Sequence, residues 1–193
     1  WAFNESLSWS DEKVLIVERF ISGMQISSES YILDGVAYTP ALSERNYSRL
    51  EEFAPYIIED GGTIPAPIDN NLVLKINKII ECGSKSMGVT EGIVKGDIVI
   101  DDNGEPQIIE LALRLSGGWF ASNQIIATSG VDLVDAVINQ ALNIKVTKEM
   151  LIPKFSRSTS VRYWFPKSGK IISIKGEEEI KSLPGVIKYG FFR

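Results

Sequence analysis

The chain is expected to fold as an α+β domain with helices packed on an antiparallel sheet, and three observations lead there. Two turn signals, Asp34-Gly35 and Asn103-Gly104, each lie between runs of strand character, the strongest local sign of a β-hairpin. Two other stretches, starting near Asp69 and Val131, carry their apolar residues at helical spacing. The order strand, hairpin, helix, hairpin, helices is the α+β arrangement.

Each element has its own warrant. Residues 14–17 (Val-Leu-Ile-Val) form a short β-branched apolar run between polar residues and Ser22-Gly23, which predicts a buried strand. Residues 25–33 and 36–42 form the first hairpin. Residues 45–65 are polar, with Gly61-Gly62 and prolines at 65 and 67, and are expected to be a long loop containing one helical turn, of the kind that is usually functional. From Asp69 a helix follows, with Asp69 or Asn70 as its cap and Leu72, Ile76, Ile79, Ile80 and Met87 as its buried stripe. Cys82 lies near that stripe with nothing basic beside it and is expected to be an inert core thiol. Residues 92–100 and 106–113 form the second hairpin. Helices are expected over 119–128 and 131–143, the second striped by Val131, Val134, Val137, Ile138 and Leu142. Residues 158–165, 170–174 and 186–193 have strand character.

Composition excludes several function classes. The 193 residues include no histidine, so Ser-His-Asp and Cys-His nucleophilic sites, His-bearing zinc centres and HExxH helices cannot be built. The single cysteine rules out an internal disulfide and any multi-cysteine metal or redox motif, which suits a reducing compartment. A net charge of −5 with no basic cluster speaks against a nucleic-acid surface. No apolar run approaches the roughly 18–20 residues that cross a bilayer, so no membrane partner is expected and the expected location is the cytoplasm. The length allows one domain or one plus an appendage. The chain opens on Trp1-Ala2-Phe3 rather than Met and stops within the strand-like run 186–193, so a piece of a longer protein is expected.

Chemistry concentrates in the second hairpin. With its turn at 102–105, Asp97 on one strand falls near Glu110 on the other, to within a slip of one or two residues, and opposed side chains on one face stand roughly 5 Å apart at Cβ. Lys95 lies two residues before Asp97, and Arg114 four after Glu110. Carboxylates held together repel unless a cation bridges them, and such oxygen ligands suit magnesium. Lys95 and Arg114 beside them would suit phosphate oxygens. The same four residues could equally make cross-strand salt bridges on a surface hairpin.

The run Glu110-Leu111-Ala112-Leu113-Arg114-Leu115-Ser116-Gly117-Gly118 resembles the metal-binding signature of the ATP-grasp superfamily, Glu-x-Asn-x-Arg followed by a glycine pair. The resemblance implies that Asp97 and Glu110 hold magnesium (or manganese) on ATP phosphates. It also implies that Arg114, assisted by Lys95, meets the transferring phosphoryl group. Ala112 replaces the family's Asn and cannot ligate a cation. Independently, residues 14–23 (Val-Leu-Ile-Val-Glu-Arg-Phe-Ile-Ser-Gly) resemble the family's adenine hinge, which implies adenine contacts from Glu18, Arg19, Phe20 and Ile21, largely through the backbone. Gln25 stands where a second Glu often binds the ribose hydroxyls, and its amide could still bond one, without charge assistance.

The resemblance covers residues 14 to about 145 as the C-terminal subdomain of an ATP-grasp fold, of carbamoyl-phosphate-synthase-like or glycinamide-ribotide-synthetase-like type. It implies a remnant of the lid subdomain at 1–13, the nucleotide- and metal-binding subdomain at 14–150, and the start of a small β-rich C-terminal domain at 151–193, whose open strand edges dimer contacts would cover. The implied activity is that of an ATP-dependent ligase. It would activate a small carboxylate as an acyl phosphate for an amine or thiol acceptor, with this chain alone inactive for want of the lid. Two other readings remain open: a non-catalytic nucleotide-binding or regulatory module, which Ala112 and Gln25 would suit, and a biotin-type carboxylase, against which stands the lack of extra basic and histidine residues.

Overall fold

The computed structural model describes residues 1–191, which divide into two compact units, Trp1–Tyr163 and the residues from Trp164 onward. The first unit contains α1 (Ala2–Trp9), β1 (Met24–Leu33), β2 (Val36–Asn46), α2 (Leu50–Phe53), β3 (Gly61–Ile64), α3 (Asn70–Ser86), β4 (Gly92–Ile100) and β5 (Pro106–Ala112). A π-helical turn (Phe120–Gln124) leads into α4 (Ile125–Ser129), followed by α5 (Leu133–Ala141), α6 (Lys148–Leu151) and β6 (Thr159–Arg162). One six-stranded antiparallel sheet runs β5-β4-β1-β2-β3-β6.

Both hairpins form where the turn signals lie. Asp34 and Gly35 have φ of 52° and 77°, the double left-handed pair that a two-residue hairpin needs. At the second turn the Asp101 carboxylate accepts from the N–H groups of Asn103 and Glu105, fixing the loop ahead of Gly104. The Asp69 side chain caps α3 by accepting from the Leu72 N–H at 2.8 Å.

The sheet has two unlike faces. Ile26, Ile32, Leu42, Val94, Ile98 and Ile100 point to one side and form a closed core with Ile76 and Ile80 of α3. On the other side the second core gathers Tyr31, Ala41 and Ile64 with Phe120, Ile125, Leu133, Ala136, Val146 and Leu151. That cover leaves free a polar patch centred on Ser27, Ser43, Arg45, Lys95 and Asp97. Polar side chains there need partners of their own.

Several expectations are corrected. Residues 14–22 are in no strand, and Ile16 and Val17 are more than 80% exposed. Both edges of β1 are taken by β2 and β4, and the segment pairs with neither of the sheet's open edge strands, β5 and β6. It ends instead against the second turn, where the Ser22 hydroxyl donates to Asp102. The expected loop 45–65 contains the short α2 but also β3, because Gly61 and Gly62 allow close strand approach rather than a turn. A Cβ on Gly61 would lie 2.2 Å from the Val161 carbonyl oxygen. Cys82 and Met87 are exposed, since α3 buries the face bearing Ile76, Ile80 and Ser84. Asp132 caps α5 by accepting from the Asp135 N–H, which turns Leu133 and Ala136 inward and leaves Ile138 and Leu142 exposed.

The expected small β domain is also revised. Within 158–165 the strand Thr159–Arg162 adds to the main sheet beside β3. Residues 164–191, taken by themselves, contain one helix, α7 (Glu177–Ser182), and no strand at 170–174 or 186–191; residues 192–193 lie outside the described residues. In this unit Ile171, Ile172 and Ile174 are exposed and hydrogen-bonded to no neighbouring strand, while Tyr189 donates to Glu177 at 3.0 Å.

Gly35→Ala is expected to cost about 1–2 kcal/mol in chemical unfolding, the penalty of a left-handed Cβ in open space. Gly61→Ala should cost more, because its Cβ also collides with the β6 backbone. Equal losses would contradict the β3–β6 ladder.

Candidate functional site

Alternation along the strands decides which side chains meet on the polar patch. On β1 the residues Ser27 and Glu29 share one face; in the ladder Ser27 opposes Asp97 and Glu29 opposes Lys95 on β4. Ser43 lies directly across from Ser27 on β2, and Arg45 follows on the same face. After β5 the chain turns over this face through Arg114, Ser116, Gly117 and Gly118. The pocket these segments enclose, about 240 Å³, is also lined by Glu59, Gln124 and Tyr163. That is below the roughly 300–1,000 Å³ of sites enclosing drug-sized ligands, so it suits a phosphate group or a small acid rather than a whole nucleotide.

The pocket is wired by charge. Asp97 is held by Lys95, by the Arg45 guanidinium at 3.3 Å and by the Ser27 hydroxyl at 3.2 Å. Arg45 also binds Glu59, with Nη2 at 2.7 Å and Nε at 2.8 Å from one carboxylate oxygen. Burial works against the Arg45 charge, but Glu59, Tyr47 and Asp97 together outweigh it and the guanidinium pKa rises. Beneath the loop, Glu29 is fully buried, and its two carboxylate oxygens accept from the Ser116 N–H at 2.9 and 3.2 Å. Burial pushes the Glu29 carboxyl above the usual carboxylate range, against the opposing pull of Ser116, Arg114 and Lys95.

Of the residues singled out in the sequence, Lys95, Asp97 and Arg114 line this pocket together. Glu110 is the direct ladder partner of Asp97, so it shares that face, but it is exposed on the edge strand and outside the pocket lining. Ala112 opposes Lys95. Glu18, Arg19, Phe20 and Ile21 lie in the exposed segment before β1 and are not brought to the pocket; Gln25 is on β1, opposite Val99 and outside the lining. Sequence reasoning missed Glu29, Arg45, Glu59, Ser116 and Tyr163. Alternation from Ser27 would have placed Glu29 on the Lys95 face, whereas Arg45 and Glu59 were hidden in a segment read as loop.

Among the described residues no three Asp, Glu, His or Cys side chains converge as a cage for a metal ion. The two opposed carboxylates Asp97 and Glu110 fit magnesium of the sort held by one or two carboxylates, waters and substrate phosphates.

No protein-family model and no curated protein sequence matches the chain. Solved structures do. An L-amino acid ligase from Bacillus licheniformis superposes with a TM-score of 0.77 at 22% identity, over 90% of this chain and 42% of that one. Phosphoribosylglycinamide synthetase from Anaerococcus prevotii gives 0.64 at 17% identity, over 83% and 39%, and a biotin carboxylase from Campylobacter jejuni gives 0.62 at 16%, over 79% and 33%. The chain thus spans about two fifths of the ligase, and the fold it shares with these proteins is the ATP-grasp fold.

Two outcomes test this wiring. Asp97→Asn should lower the stability of the metal-free chain by roughly 1–3 kcal/mol, since it strips Lys95 and Arg45 of a charged partner, whereas exposed Glu110→Gln should stay within about 0.5 kcal/mol. Chemical unfolding of both variants measures it. This reverses the gain that carboxylate repulsion alone would give. For Glu29 the folded pKa lies above the unfolded one, so the unfavourable contribution is absent below the usual carboxylate range and grows as pH rises through the folded pKa. Glu29→Gln should therefore raise the melting temperature at neutral pH, and the difference from the parent should vanish on acidification.

Proposed function

We propose that this ATP-grasp chain supplies the nucleotide-phosphate site of an ATP-dependent ligase that activates a small carboxylate for attack by an amine or thiol. The observation that carries the reading is the convergence of Lys95, Asp97 and Arg114, with Glu110 opposite Asp97, on one pocket beneath a Gly117-Gly118 loop. In this reading the substrate carboxylate attacks the terminal phosphorus, ADP leaves, and the acyl phosphate is then attacked at its carbonyl with release of phosphate.

The chain's own residues act by position and charge. Arg114 and Lys95 face the transferring phosphoryl group and stabilise charge on its oxygens. Arg45, braced by Glu59, keeps Asp97 pointed into the pocket. Asp97 and Glu110 would hold magnesium or manganese, which when bound neutralises phosphate charge. Glu18, Arg19, Phe20 and Ile21 bind the adenine edge and Gln25 a ribose hydroxyl, within a nucleotide subdomain spanning 14–150. No protein nucleophile is needed, which agrees with the absence of histidine. No helix is long and apolar enough to cross a membrane among the described residues. The reading takes the protein as cytoplasmic, without nucleic-acid partners, and as a homodimer where open strand edges are covered.

A second reading, a nucleotide-binding module without turnover, is favoured by two specific features. Ala112 occupies a ligand position and Asp97 is already satisfied by two cations. A biotin-type carboxylase is supported by fold alone.

Titrating MgATP at millimolar concentration while recording backbone amide NMR spectra tests the reading. Shifts are expected at Lys95, Asp97 and Ser116–Gly118, to weaken about tenfold without magnesium or in Asp97→Asn, as for loss of a charge-assisted contact. Glu18→Gln should weaken adenine binding modestly and Ile21→Pro more, by removing a donor. Binding that ignores magnesium overturns the metal assignment. Equal affinity for MgGTP removes the adenine hinge.

A further inference from the structure

Glu29 takes no part in the proposed phosphate contacts, yet it is the fully buried carboxylate under the pocket. A buried charge persists where its bonds are made. Both its oxygens are spent on one backbone group, the Ser116 N–H, across 87 residues of sequence. Ser116 begins the loop whose far end is fixed differently: the Phe120 N–H donates to the Gly117 carbonyl, and the Gln124 side chain donates to the Gly118 carbonyl at 3.2 Å. Between these anchors Gly118 and Trp119 take left-handed φ of 59° and 64°. A loop that departs from ordinary backbone at two successive residues keeps its shape only if both ends are held.

The Ser116 hydroxyl adds an independent sign. It is buried, lines the pocket and has no hydrogen-bond partner. A polar atom so enclosed needs a partner and meets a ligand oxygen only if the loop gives way, so what holds the loop decides whether it can. The Ser116 N–H is drawn down to Glu29 by the same residue, so the tether determines where that hydroxyl stands. Lys95 and Arg114 both feel the Glu29 charge, and a ligand anion would compete with it for them.

We infer that Glu29 is a positioning residue: by holding the Ser116 N–H it sets the Arg114–Gly118 loop over the pocket so that the loop can receive an anion. The anion, a phosphate group, rests on the function proposed above. The tether itself does not.

Three variants separate the possibilities. Glu29→Gln keeps an acceptor and the side-chain shape but removes the charge; Glu29→Leu removes the acceptor. Ser116→Pro removes the donor while leaving the Glu29 side chain in place, and serves if Glu29→Leu does not fold; because it also removes the Ser116 hydroxyl, it is read by exchange and not by anion titration. Amide hydrogen exchange reads the tether, at residues 116–118 in the Glu29 variants and at residues 117–120 in Ser116→Pro, which has no amide at 116; titration with inorganic phosphate and with MgATP reads the pocket. Glu29→Leu or Ser116→Pro should speed loop exchange, and Glu29→Leu should weaken anion binding by about five- to tenfold, the net worth of an ordinary hydrogen bond. Glu29→Gln should restore protection and bind anions at least as tightly as the parent, because the competing charge is gone. Unchanged loop exchange in Glu29→Leu or Ser116→Pro overturns the tether. Weak anion binding in Glu29→Gln despite a protected loop overturns the positioning role. If the parent binds neither anion, the phosphate reading fails, and the exchange data still decide whether Glu29 holds the loop.

Discussion

The register of β4 against β1 is the constraint on which the rest depends. Ile26, Val94 and Ile98 must face α3 to close the first core, and a strand has only two faces. Once those side chains are committed, Ser27, Glu29, Lys95 and Asp97 have no choice but the opposite side. A slip of one residue would bury Lys95 and Asp97 under α3 and expose the isoleucines. The apolar demand of one face thus fixes the polar constellation of the other, and the affinity of the fold for α3 becomes precision in the pocket.

That polar face is stabilised by pairing rather than by exposure. Asp97, Arg45, Glu59 and Lys95 form a chain of alternating charge in a half-buried setting, where attraction is stronger than at an open surface. Arg45 and Lys95 offset the charge of Asp97 in the absence of metal. A dication reaching Asp97 would displace contacts the protein already makes, so metal affinity depends on what Lys95 and Arg45 gain in return. Phosphate oxygens are the partners that would satisfy both. The same logic links the loop, since Arg114 approaches the face from above while Glu29 holds Ser116 from below.

Much of this was legible in the sequence, and the failures have physical causes. Asp34-Gly35 and Asn103-Gly104 fixed both hairpins because left-handed turn geometry admits few residues, and the second placed Asp97 near Glu110 to within the one-residue shift that a bulge between Asp97 and Ile98 supplies. Asp69 marked the start of α3 for the same kind of local reason. Residues 14–17 misled because strand propensity cannot report whether a segment finds a strand to pair with, and this one pairs with none. Gly61-Gly62 misled because glycine serves close strand approach as readily as a turn, and with β3 unseen, Arg45 and Glu59 could not be placed beside Asp97. Glu29 escaped notice because its partner is a backbone N–H, which no side-chain motif encodes. The α5 stripe was misjudged by the phase that the Asp132 cap imposes.

The central claim is that the face bearing Lys95, Asp97 and Glu110 receives a metal–nucleotide phosphate group. Paramagnetic broadening by Mn²⁺ bound to ATP tests it most directly, since it reports distance from the metal rather than any consequence of binding. The account predicts broadening centred on the amides of Asp97 and Glu110 and reaching Ser116–Gly118, absent when magnesium replaces manganese. Broadening centred elsewhere on the chain, or spread evenly over its acidic surface, would contradict it.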